Sequence, residues 1–135
     1  MKLNFKNDGG RVILFLEIIG REDSEGWLES IVGFDNDGFA VRFQISLMLN
    51  DLYPFLSQLE LLNDSLKGRA VLSTIEHNVN LIFSTDGLGH ISINGTLRHP
   101  NNYDLKMSFV IQTDQTLLPS LISECNQILE HYRPQ

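Results

Sequence analysis

Few residues of this chain have the types and spacing to do chemistry. The candidates are four histidines, a single cysteine and two glycine-containing motifs. His77, His90, His99 and His131 form no His-x-His or His-x3-His pair, and Cys125 alone cannot build a structural zinc site. His77 and His99 fall in expected turns, His90 opens a polar strand face, and His131 lies near the end of a helix, where a cation suits the dipole. Cys125 lies on an apolar helical stripe, the setting of a buried, inert thiol. Gly87-Leu88-Gly89 is no phosphate loop, because a strand follows it where a helix is needed. Asp35-Asn36-Asp37-Gly38 starts like a calcium loop, but Phe39 stands where the next ligand is required, so a hairpin turn is expected. No catalytic residue, metal or cofactor is expected.

The elements that would carry these residues are mostly strands. Residues 11–19 form a nearly unbroken apolar run, and residues 27–34 form a second strand. Phe39, Val41, Phe43, Ile45 and Leu47 alternate with Ala40, Arg42, Gln44 and Ser46, the period of a strand with one buried face. Leu52, Phe55, Leu56, Leu59 and Leu62 then repeat at helical spacing, with Asn50 or Asp51 as cap and Lys67-Gly68 as stop. Four strands are expected near residues 69–76, 79–85, 89–98 and 104–112. A second helix with a broad stripe runs from Leu117 to Tyr132, capped by Asp114 or Thr116. The order is βββ-α-ββββ-α, with room for one more strand at residues 2–6. The expected fold is α+β: a two-layer domain over residues 1–135, with a largely antiparallel sheet of seven or eight strands and two helices on one face. No convincing internal repeat is visible.

Composition narrows the function classes. The formal net charge is −7, which disfavours a phosphate-backbone binder and suits a basic protein partner. Glu17, Glu22, Asp23, Glu25, Glu29, Asp35 and Asp37 face only Arg21 within residues 17–37, so that window carries nearly the whole imbalance. Trp27 and Glu29 share a strand face there, and tryptophan is enriched at interfaces. The expected partner-binding residues are therefore Glu22, Asp23, Glu25, Trp27, Glu29, Asp35 and Asp37. The alternative is the polar strand face of His90, Ser92, Asn94, Thr96 and Arg98. One cysteine and no signal-peptide or membrane-spanning pattern point to the cytoplasm, without membrane or nucleic acid as partner.

A longer pattern lies in the second half. Asp86-Gly87-Leu88-Gly89-His90-Ile91-Ser92-Ile93-Asn94-Gly95-Thr96-Leu97-Arg98 is followed, one strand later, by Thr113-Asp114-Gln115-Thr116-Leu117-Leu118-Pro119-Ser120-Leu121. This pairing resembles the WapI-like family of small bacterial immunity proteins, most closely over residues 68–130. The resemblance implies a stoichiometric blocker of the toxic C-terminal domain of a secreted protein, which in the namesake resembles a tRNA-cleaving nuclease. The other readings are an adaptor module with an unrelated partner, and an enzyme with a dispersed site combining His90, Asp86 and Arg98.

Overall fold

The computed structural model describes residues 1–133. Its chain runs β1 (Lys2–Lys6), β2 (Val12–Arg21), β3 (Trp27–Asn36), β4 (Phe39–Met48), a 3-10 turn at Leu49–Asp51, then α1 (Leu52–Ser65). It continues through β5 (Arg69–Ser73), β6 (Val79–Thr85), β7 (His90–His99) and β8 (Asn102–Asp114) to α2 (Leu117–Tyr132). The class is α+β and all eight strands pair antiparallel, with the N-terminal strand present.

The strands divide into two four-stranded sheets, β1-β2-β3-β4 and β5-β6-β7-β8, where the sequence suggested one. Helix α1 interrupts the hairpin succession after β4, and β5 starts a new ladder instead of pairing with β4. Each sheet is a simple meander followed by a helix, so the chain is a repeat of ββββα that alternation alone does not reveal. Both helices even begin alike, as Leu52-Tyr53-Pro54 and Leu117-Leu118-Pro119. Proline is tolerated in that first turn because its missing N–H would have no helical acceptor.

The turns follow local chemistry. Asp37 and Gly38 both have positive φ, 51° and 83°, the two-residue hairpin that matches strand twist. Helix α1 ends where Leu66 turns left-handed and its N–H returns to the Leu62 carbonyl. The expected caps differ in detail. Asp51 caps nothing in α1; its carboxylate accepts the N–H groups of Met48 and Ile75. Asp114 accepts the N–H and hydroxyl of Thr116 and so shapes the entry to α2.

One core serves both sheets and both helices. Phe83 of β6 joins three elements within it: the Phe5 ring from β1 lies 6.2 Å away and the Phe55 ring from α1 5.6 Å away. Helix α1 packs on α2 and β5, and α2 on β1, so the helices close the side where β1 and β5 lie. The outer faces of both sheets stay in solvent.

Candidate functional site

The acidic residues occupy the first sheet. Glu22, Asp23 and Glu25 crowd the β2–β3 turn, whereas Asp35 and Asp37 sit at the β3–β4 turn. The ten residues of β3 separate these ends by about 33 Å at the usual strand rise. The window is therefore two acidic poles, joined by Glu17 and Glu29 on the outer face.

Some of these carboxylates have local duties. Asp23 accepts the N–H groups of Glu25 and Trp27 and so holds the turn. Glu22 accepts the Ser46 hydroxyl, and Glu29 accepts the Gln44 amide at 2.7 Å. Among the described residues none is neutralised by an ion pair; the only such pair there is between Asp86 and His90. Arg21, the one base of the window, turns away: its guanidinium donates to the Tyr132 and Arg133 carbonyls at the end of α2 and lies over the Tyr132 ring. The acidic field is thus left uncompensated by its own arginine.

Between the poles the outer face is partly apolar. Trp27, Ile31 and Phe15 are half-buried and Ile19 is exposed. Gly33 was not singled out in the sequence, yet it shapes this surface. A side chain there would meet the Phe15 ring at 2.3 Å, so only glycine lets Phe15 lie across β3. A hollow of about 420 Å³ opens beside them, lined also by Val12, Asp35, Ala40 and Arg42. Its members meet only through cross-strand register, with Phe15 opposite Gly33 and Gly33 opposite Arg42. No spacing in one strand could have signalled that.

The second sheet carries the alternative face. Ser92, Asn94 and Thr96 point outward beside Gln112, Val110 and Ser108, and Ser92 donates to Gln112. The dispersed site does not assemble. His90 meets Asp86, Nδ1 to Oδ2 at 2.7 Å, but Arg98 stands eight residues along β7, about 26 Å away. Arg98 instead donates to the Tyr103 carbonyl and stacks on its ring, 4.1 Å from the centroid. What His90 does face is Asp114, its partner in the ladder. Backbone N–H of Leu88 and the His90 ring hold Asp86 below the usual carboxylate range, and the Thr116 hydroxyl and N–H do the same for Asp114. With a His90 side chain 76% exposed, this is a solvated turn lock rather than a poised acid or base. Cys125 is buried, which pushes its thiol up to about 12. Among the described residues no three metal-ligating side chains converge, and no helix is long and apolar enough to cross a membrane.

Two solved structures share the fold. A crystal structure of Trypanosoma brucei MRP1/MRP2 superposes with a TM-score of 0.51 at 14% identity, over 97% of this chain and 83% of that one. A guide-RNA-binding protein complex bound to a guide RNA gives 0.52 at 15%, over 97% and 89%. At such identities the likeness is one of fold. No curated protein matches the sequence. The family model described as the immunity protein WapI-like family matches residues 3–133, well beyond the motifs of the second half, and the chain belongs to that family.

Proposed function

We propose that this protein is a cytoplasmic immunity protein that binds the C-terminal domain of a secreted toxin one-to-one and blocks it. The observation that carries this reading is the family match across residues 3–133. The surface supports a basic target. Among the described residues Glu22, Asp23, Glu25, Glu29, Asp35 and Asp37 have no cationic partner, and Trp27 lies half-buried beside the first of the two poles as an apolar anchor. A nuclease domain must be basic to hold its substrate, so an acidic blocker can compete for the same ground. The fold likeness to RNA-binding proteins does not redirect the proposal, because a chain of net charge −7 repels a phosphate backbone.

The test is an inhibition titration. The toxic activity of the C-terminal domain of a large secreted protein encoded beside this one should fall linearly as the protein is added and vanish at one equivalent. Undiminished activity at excess protein contradicts the proposal.

A further inference from the structure

Two open sheets leave four edge strands, and an unguarded edge invites pairing with another chain. Three of the four are guarded from within the chain. On β1 the Glu124 carboxylate of α2 accepts both the backbone N–H of Asn4 (3.0 Å) and its side-chain amide (2.8 Å). On β5 the Gln58 carbonyl of α1 accepts the Val71 N–H at 2.7 Å. On β8 the Asp8 N–H bonds the Gln112 carbonyl at 2.9 Å, and Asp104 and Lys106 charge the rest of that edge.

Strand β4 differs. Of the N–H groups on its outward edge only that of Met48 is taken, by Asp51 at 2.9 Å. Alternation from Met48 puts the N–H and C=O of Ala40, Arg42, Gln44 and Ser46 on the same outward edge, and none of them has a partner among the described residues. No proline or bulge interrupts β4, and Arg42 is its one charge. Beside it lies the unclosed side of the core, away from the helices. Phe39 is 69% exposed there and Leu105 60%. Hollows of about 260 and 130 Å³ separate β4 from β8.

We infer that β4 pairs antiparallel with β4 of a second copy about a two-fold axis at Phe43, joining two first sheets into one of eight strands. The free stretch of residues 40–46 is centred on Phe43, so this register uses all of it. Ala40 pairs with Ser46 of the partner subunit and Arg42 with Gln44 of the partner subunit, so that the two arginines lie diagonally across the axis rather than directly opposite each other. Apolar inner residues fall opposite apolar ones, and the exposed seam is extended across the axis. The surface is self-complementary, as a two-fold interface requires, and the outer acidic face stays free. This inference stands independently of any toxin.

Sedimentation of the full chain without any partner tests it. The wild type should sediment as a dimer at micromolar concentration. Ala40→Pro should be monomeric with an unchanged circular dichroism spectrum, since it removes only an outward donor. Phe43→Cys should form a disulfide-linked dimer on mild oxidation, because residues at the axis approach within about 4.5 Å between Cα atoms. Val41→Cys, away from the axis, should not. The buried Cys125 gives no background. A monomeric wild type, a dimer that survives Ala40→Pro, or crosslinking by Val41→Cys but not Phe43→Cys would overturn the inference.

Discussion

The ring of Phe109 fills the space that a side chain at Gly95 would occupy. A Cβ on Gly95 would lie 2.3 Å from the Phe109 ring and 2.9 Å from Leu81. Phe109 in turn stacks on Phe34 of the first sheet, with centroids 4.6 Å apart at 39°. One glycine in β7 thus sets how the two sheets meet.

Substitution Gly95→Ala should therefore destabilise the protein by about 1–3 kcal/mol, the usual cost of overpacking. Urea unfolding measures it. Adding Phe109→Leu should recover part of the loss, because the smaller side chain vacates the space. Equal stability of wild type and Gly95→Ala would show that the ring moves freely.

Glu124 bridges α2 to the edge of β1 through two hydrogen bonds to Asn4. Replacing it with alanine leaves an edge N–H to solvent and should cost about 1–2 kcal/mol. Hydrogen exchange at the Asn4 amide should quicken well before global unfolding. An unchanged exchange rate would mean that the bridge contributes nothing.

Acid should weaken the turn before β7. Asp86 and Asp114 are held below the ordinary value of 3.8 in the folded chain. A depressed carboxylate stabilises above its unfolded value, and that gain is lost as pH falls through the folded one. Thermal melts from neutral pH to about pH 3 should show a falling midpoint below about pH 4. Asp86→Asn should lower the neutral midpoint and flatten the acid decline. Parallel curves for both proteins would contradict this.

Cys125 should ignore thiol reagents while the protein is folded. Its value near 12 leaves almost no thiolate at pH 8, and the side chain is buried in the α2 stripe. Labelling by iodoacetamide should begin only where denaturant unfolds the chain. Rapid labelling of native protein would place the thiol at the surface.

Much of the fold was legible because period-2 and period-3.6 patterns are local. Phe39 to Leu47 announced β4, and Leu52 to Leu62 announced α1, from single stretches of sequence. The division into two sheets was not legible. It depends on β5 pairing forward with β6 rather than back with β4, a long-range choice that alternation within a strand does not encode. The candidate site suffered more. Glu22 and Asp37 are close in sequence and lie at opposite ends of a sheet. Phe15, Gly33 and Arg42 are distant in sequence and adjacent in register. Arg98 looked like a companion of His90 and is stacked on Tyr103 instead. Charge and composition identify a surface only once register says which residues share it.

Calorimetric titration of this protein with the C-terminal domain of any large secreted protein encoded beside it, at low and then moderate salt, decides whether it is an immunity protein of the kind proposed. Tight one-to-one binding is expected. It should weaken as salt screens the acidic poles, and the triple variant Glu22→Lys, Asp23→Lys, Glu25→Lys should associate more slowly while melting near the wild-type temperature. No heat at either salt, with both proteins folded, would contradict the proposal.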